Sequence, residues 1–106
     1  MKKKLIASLI MISSSVMAGT GDVGKISELF VEDSGAMAIK LSNGFPKSIA
    51  SSECPTNNGW AGVTIDSPEL KSALLAAKAT QSEVSVSIYG CTRSNAWFKV
   101  RSVYVK

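Results

Sequence analysis

Residues 67–89 read SPELKSALLAAKATQSEVSVSIY, and the period of the apolar residues changes halfway along this stretch. The first half repeats its apolar residues at the spacing of one helix face and predicts a helix over residues 68–79. Ser67 fits the N-cap of that helix and Pro68 its first turn. The second half alternates strictly between apolar and polar residues and predicts a strand over residues 83–89. This stretch therefore predicts one helix followed directly by one strand.

The segments on either side of this stretch predict further strands. Residues 25–32 (KISELFVE) alternate imperfectly, as a bulged strand does, and residues 36–41 (AMAIKL) alternate cleanly. The hairpin signal at residues 43–44 predicts a short return strand over residues 45–51. Residues 51–62 (SSECPTNNGWAG) are turn-rich and predict a loop, and residues 96–105 predict the last strand.

The order of these elements defines the fold class. Three strands, a loop, one helix and two strands predict a mostly β protein of the α+β class in a single domain. A five-stranded OB-fold-like barrel, with its helix between strands 3 and 4, has this order, and its open face binds oligosaccharides or oligonucleotides. A plain α+β sandwich has the same list of elements, so both topologies stay open at this point.

The N-terminus reads as an export signal. Residues 1–18 (MKKKLIASLIMISSSVMA) combine a cationic start, an apolar run and small residues before a cleavage site after Ala18. The apolar run spans eight residues, whereas a membrane-spanning helix needs about 20. Cleavage leaves 88 of the 106 residues as one domain, residues 19–106. We therefore expect a periplasmic or secreted protein without membrane insertion.

Most of the net positive charge of the chain comes from this signal. The whole chain has 12 Lys and Arg against 8 Asp and Glu, and three of the 12 are residues 2–4. The remainder has nine against eight, which argues against a nucleic-acid partner even though Lys99 and Arg101 alternate with Trp97 on the last strand.

The cysteines predict a disulfide between Cys54 and Cys91, because an even pair in an exported chain is oxidised by default. Nucleophilic use of either thiol would need an activating partner, and the chain has no histidine. The lack of histidine also removes His-based triads and the commonest metal ligand. We expect neither a metal nor a cofactor.

The carboxylates show no obvious catalytic pair. Asp33 fits a turn, Asp66 and Glu69 fit the start of the helix, and the others, Asp22 among them, read as solvated. A glycosidase dyad would also need a deep cleft. We expect the protein not to be an enzyme.

Two loops carry the candidate ligand-binding residues. Aromatic rings pack on the C–H faces of sugars, and amide groups pair with their hydroxyls. The disulfide joins the starts of the two loops, so we expect the loops to lie near each other. The alternative is that both tryptophans are core residues and the asparagines only form turns. The candidates are Asn57, Asn58 and Trp60 in the first loop, and Arg93, Asn95 and Trp97 in or beside the second.

The face of the helix opposite the sheet predicts an oligomer contact. It carries Leu75, Ala76 and Ala79, where a solvent-facing helix would normally be charged. The alternative is that the alanines serve helix propensity and Leu75 is a single exposed residue.

Short motifs resemble the B subunits of subtilase cytotoxin and typhoid toxin. One motif is the run Ile26-Ser27-Glu28-Leu29, and heat-labile enterotoxin B subunits share the order of elements. The other two motifs are V-x-V-x-I-x-G-C (Val84, Val86, Ile88, Gly90, Cys91) and W-x-x-V-x-x-V-x-V (Trp97, Val100, Val103, Val105).

This resemblance implies an OB-fold, secretion, a structural disulfide, homopentamers with a separately encoded A subunit, and recognition of cell-surface glycans. Asp22 stands where those subunits carry a serine that helps bind sialic acid. Because a carboxylate would repel sialate, sialic-acid specificity is not expected. The favoured function is glycan binding by a protein similar to a toxin B subunit. The alternative is an exported protein-binding module such as an inhibitor.

Overall fold

The computed structural model describes residues 20–63 and 67–106. The expected signal, residues 1–18, and its cleavage site lie outside the described residues, as does Asp66. The described part contains five strands and two helices. In chain order they are β1 (Thr20–Val31), β2 (Met37–Leu41), α1 (Pro46–Ala50), β3 (Ala61–Val63), α2 (Pro68–Thr80), β4 (Glu83–Thr92) and β5 (Trp97–Val105).

The five strands form one sheet whose hydrogen-bonded pairs close into a ring. Their order is β1-β2-β3-β5-β4, and β4 pairs back to β1. The β3–β5 pair is parallel and the other four pairs are antiparallel. The prediction of a mostly β chain with five strands and a helix between the third and fourth is therefore confirmed.

The prediction of a return strand over residues 45–51 is wrong, since this segment forms the helix α1. Asp22 of β1 supplies the reason. Its carboxylate accepts hydrogen bonds from the backbone N–H groups of Lys47 (2.9 Å) and Ser48 (3.0 Å), and from the Ser48 hydroxyl (2.7 Å). The carboxylate thereby pairs the free N–H groups at the helix start. The prediction of a single helix is wrong for the same reason.

The position of Asp22 also corrects its expected solvated role. Asp22 is only 3% exposed, and its carboxylate faces the start of α1. Repulsion of a sialate by an exposed carboxylate therefore has no basis at this residue, which serves the fold.

The third strand lies at the end of the segment predicted as a loop. Ala61–Val63 pairs with β2 through Met37↔Val63 and Ile39↔Ala61, and with β5 through Ala61↔Phe98. Three residues are too few to display a period of two. Pairing with a neighbour on each side therefore defines this strand.

The first strand is longer than predicted. It begins at Thr20, because residues 20–25 pair antiparallel with residues 83–88 of β4. The expected bulge is confirmed by a register shift between Ile26 and Glu28 in the pairing with β2.

The core fills the interior of the ring. The alternation predicted for β2 and β4 is confirmed, because its apolar side chains are all buried in this core: Met37, Ile39, Leu41, Val84, Val86 and Ile88. Helix α2 covers the core with Leu74 and Ala77. Helix α2 ends one residue later than predicted, at Thr80, and Gln81 follows in a left-handed conformation (φ 57°). Neither helix in the described ranges has the length and apolarity needed to cross a membrane.

Candidate functional site

The predicted disulfide is present between Cys54 and Cys91, whose Cα atoms lie 5.2 Å apart. It joins the start of the loop over residues 55–60 to the end of β4. Beside it, Glu53 Oε1 accepts a hydrogen bond from the Gly90 backbone N–H at 3.1 Å. Both candidate binding loops are therefore fixed where they begin.

The two loops lie side by side, as expected from the disulfide. The Asn58 backbone N–H donates to the Ala96 carbonyl at 2.8 Å, and the Thr56 hydroxyl donates to the Asn95 carbonyl. Two residues further along each segment, the Phe98 N–H donates to the Trp60 carbonyl at 3.0 Å. These bonds hold the loops as one surface.

The two asparagines of the first loop form turns. Asn57 donates through Nδ2 to the Cys54 carbonyl at 2.8 Å and accepts from the Gly59 N–H at 2.9 Å. Asn58 Oδ1 accepts from the Trp60 N–H at 3.3 Å. This supports the turn-forming alternative for Asn57, because both its amide nitrogen and its amide oxygen form hydrogen bonds within the loop. A ligand contact by either asparagine stays a prediction.

The turn between β4 and β5 has an unusual backbone. Arg93, Ser94 and Asn95 all have positive φ, at 56°, 53° and 67°. The Ala96 N–H donates to the Arg93 carbonyl at 3.1 Å, so Ser94 and Asn95 are the central residues of a hairpin turn of the I′ kind. Positive φ without glycine is strained and persists where surrounding contacts hold it. Here those contacts are the neighbouring loop and the disulfide.

Three aromatic rings cluster on the outer face of the sheet. The Phe30 ring lies 6.2 Å from that of Trp60 and 5.9 Å from that of Trp97, edge to face in both cases. Trp97 packs there with Ala36 and Ala38, which belong to a second cluster separate from the main core. We call Phe30, Trp60 and Trp97, together with Lys40 and Arg93, the aromatic platform.

The three rings differ in how much surface they offer. Trp97 is 7% exposed and forms the base of the platform, whereas Phe30 is 37% exposed. Trp60 is half-buried. A ligand can therefore reach Phe30 and Trp60, and contact with Trp97 needs its neighbours to move.

Two cations stack on the tryptophans. Lys40 Nζ lies 4.9 Å from the centre of the Trp60 ring, and the Arg93 guanidinium carbon lies 4.7 Å from that of Trp97. Arg93 also pairs with Glu32 through two contacts, Nη1–Oε1 at 2.9 Å and Nη2–Oε2 at 3.2 Å. This planar pair fixes the guanidinium over the ring.

Sequence reasoning missed two members of the platform, Phe30 and Lys40, and also Glu32, which pairs with Arg93. Phe30 and Val31 are adjacent apolar residues in one strand, so one of them has to face outward. The register pairs Phe30 with Ala38 and Glu28 with Lys40, which places all four on the outer face. Adjacent apolar residues were the available signal, but only the register shows which one joins the tryptophans.

The predicted oligomer face lies where the helix period placed it. Leu75 is 46% exposed, and Ala76 and Ala79 are exposed beside it, whereas Leu74 and Ala77 are buried. An oligomer contact on this face stays a prediction.

No three His, Cys, Asp or Glu side chains within residues 20–63 and 67–106 lie together as a metal site would require. Comparisons of the chain with protein-family models, curated proteins and solved structures return no match.

Proposed function

We propose that this chain is an exported OB-fold protein that binds glycans without catalysis, in the manner of a toxin B subunit. Support for the OB-fold comes from the ring order β1-β2-β3-β5-β4 and from α2 between β3 and β4. OB-folds bind oligosaccharides and oligonucleotides on the face of strands 2 and 3, between the loop joining strands 1 and 2 and the loop joining strands 4 and 5. The aromatic platform draws on comparable elements of this chain, with Lys40 on β2, Trp60 directly before β3 and Arg93 directly after β4.

The observation that carries the proposal is the accessible pair of rings, Phe30 and Trp60, beside Lys40. Flat apolar rings suit the C–H faces of sugars, and cations and amides suit their oxygen atoms. Asn58 and Asn95 are exposed at the rim of the same surface. The platform is held by strand pairing and by the disulfide, so it is already shaped before a ligand arrives.

The carboxylates support a role without catalysis, because several already have structural partners. Asp22 pairs with the start of α1, Glu32 with Arg93, and Glu83 with Lys106. A glycosidase needs two carboxylates free to act on one bond.

A glycan array probed with residues 19–106 tests the proposal. We expect Trp60→Ala to lose the array signal, and Tyr104→Ala to keep it. Tyr104 is a matched control, because it is an exposed aromatic residue (68%) that lies opposite Ser85 on β4, away from the platform. A parent protein without any array signal, or equal signals from the two variants, would contradict the proposal.

A protein-binding module is the second candidate, and a different observation favours it. Large apolar side chains are exposed outside the platform, namely Ile49 on α1, Leu75 on α2 and Tyr104 on β5. The partner that can be tested directly is a second copy of the chain, as the toxin resemblance implies. A separately encoded A subunit is the other partner under this proposal.

A further inference from the structure

We infer that Asn58-Gly59 is a self-modification site, at which the backbone nitrogen of Gly59 attacks the Asn58 side chain and converts it to aspartate or isoaspartate. The reaction is an intramolecular cyclisation followed by hydrolysis, and water is its only co-reactant. It does not depend on the proposed function. The chain has two Asn-Gly pairs, Asn43-Gly44 and Asn58-Gly59, and the structure distinguishes between them.

The cyclisation uses the backbone nitrogen that follows an asparagine as its nucleophile, and glycine hinders that nitrogen least because it has no side chain. The Gly59 N–H gives up its proton, and a bond forms between this nitrogen and Asn58 Cγ. The bond from Cγ to Nδ2 breaks, and Nδ2 leaves as ammonia with that proton. Water then opens the cyclic succinimide at either carbonyl group, which gives aspartate or isoaspartate.

Exposure and backbone hydrogen bonding do not distinguish the two pairs. Asn43 and Asn58 are both exposed. The N–H of each following glycine donates one hydrogen bond of 2.9 Å, and both glycines have positive φ, 71° at Gly44 and 96° at Gly59. A difference in reactivity therefore has to come from the asparagine side chains and their surroundings.

The Asn58 side chain is folded back onto its own backbone. Its Oδ1 accepts a hydrogen bond from the Trp60 N–H at 3.3 Å, so the side chain lies over the Gly59 peptide between these two residues. This conformation places Cγ beside the nitrogen that attacks it. The Trp60 N–H also faces the oxygen on which negative charge develops during the attack, and it stabilises that charge.

The Asn43 side chain is held by another strand instead. Its Nδ2 donates to the Val23 carbonyl of β1 at 3.0 Å. A Cβ atom on Gly24 of the same strand would collide with Asn43 Oδ1, so both ends of the amide lie against β1. Reaction at Asn43 needs the bond to Val23 to break before Cγ can approach the Gly44 nitrogen.

A cation lies beside the reactive peptide of Asn58. A Cβ atom on Gly59 would lie 4.0 Å from Lys40 Cε, whereas one on Gly44 would have no atom of the described residues beyond its chain neighbours within 4 Å. The Lys40 ammonium is bonded to that Cε and lies close to the Gly59 nitrogen when this nitrogen loses its proton. Opposite charge stabilises the anion and, later, the product carboxylate.

The product changes the loop that carries Trp60. Isoaspartate inserts an extra backbone carbon between residues 58 and 59. On one side of this point the Asn58 N–H donates to the Ala96 carbonyl, and on the other the Trp60 carbonyl accepts from the Phe98 N–H. The extra carbon changes the spacing of these two groups while their partners keep theirs, so the modification loosens the contact between the two segments.

Incubation of the exported protein in mildly alkaline buffer made with heavy-oxygen water, followed by peptide mapping in a mass spectrometer, tests the inference. Hydrolysis of the succinimide places a heavy oxygen atom in the new carboxylate. We expect Asn58 to be converted about tenfold faster than Asn43 in the folded protein, the effect that a hydrogen bond has on a barrier. Equal or faster conversion of Asn43 would overturn the inference.

The unfolded chain is the first control, because it keeps both Asn-Gly sequences and loses the contacts. In concentrated urea, after reduction of the disulfide, we expect Asn43 and Asn58 to be converted at similar rates. A ratio of the two rates that is the same in urea and in the folded protein would assign the difference to local sequence and overturn the inference.

A charge variant tests the part played by Lys40. We expect Lys40→Gln to slow conversion of Asn58 by about twofold to fivefold, the effect of a charge that solvent reaches, and to leave Asn43 unchanged. Lys78→Gln removes the same charge on α2 and should change neither rate. Equal effects of the two variants on Asn58 would contradict stabilisation by Lys40.

Urea unfolding of the modified protein, separated by ion exchange, tests the loosened loop. Asn58→Asp is the matched control, because it has the new charge without the extra backbone carbon. We expect the isoaspartate form to unfold at a lower urea concentration than Asn58→Asp. Equal midpoints would contradict the loosening. An empty glycan array would overturn the proposed function and leave this modification standing.

Discussion

The ring of Trp97 lies directly on the backbone of Gly62, so that a Cβ atom at residue 62 would lie 2.2 Å from Cε3 of the ring. Gly62 belongs to β3 and Trp97 begins β5, and these two strands form the parallel pair of the sheet. The contact explains why a tryptophan on the outer face is buried. The contact also fixes the position of the Trp97 ring, against which Phe30 and Arg93 pack.

Gly62→Ala is expected to destabilise the protein by about 1–3 kcal/mol, because the added methyl group has to displace the Trp97 ring. Urea unfolding followed by tryptophan fluorescence measures the loss. The control is Gly21→Ala in β1, where the nearest atom to an added Cβ is the Val86 carbonyl oxygen at 3.6 Å, an ordinary contact. Equal stability of the two variants would contradict the packing of Trp97 on Gly62.

Asp22→Asn is expected to lower the free energy of unfolding by about 1–3 kcal/mol, since one accepting oxygen and the negative charge at the start of α1 are lost. Glu28→Gln is the control, because it changes an exposed carboxylate of the same strand. Chemical denaturation of both variants gives the comparison. A variant Asp22→Asn as stable as the parent would show that α1 forms without this cap.

Loss of the disulfide is expected to destabilise the protein by about 3–4 kcal/mol in the loop-entropy model. The double variant Cys54→Ala/Cys91→Ala tests this in urea, and it should also weaken glycan binding, since the bridge fixes both loops.

Intact-mass measurement of the exported protein should show a start at Gly19 and the loss of two hydrogens. Two free thiols under non-reducing conditions would contradict the pairing.

Leu75→Glu is expected to lower the mass of the assembly in solution while leaving the fold intact, because the charge would face the proposed oligomer contact on α2. Light scattering follows the mass and circular dichroism the fold. Ser42→Glu adds the same charge at an exposed residue after β2 and should leave the mass unchanged. A parent that is monomeric at high micromolar concentration would overturn the oligomer proposal.

Elements with a local signal could be predicted from the residues alone. Val84, Val86 and Ile88 alternate and are all buried, and the helix predicted over residues 68–79 is observed as Pro68–Thr80. Both signals repeat several times within one segment, so neighbouring residues suffice to read them. The disulfide was also predictable, because the chain has only one pair of cysteines.

The remaining features depend on contacts between segments that are distant in the chain. The segment predicted as a return strand contains the helix Pro46–Ala50, because the Asp22 carboxylate, 25 residues before Lys47, pairs with the first N–H groups of this helix. β3 is three residues long and has no period of its own. The platform joins Phe30, Trp60 and Trp97 from distant segments, and the strand register places them on one face. The physical reason is common to all three: each feature depends on partners far apart in the chain, which a local pattern does not contain.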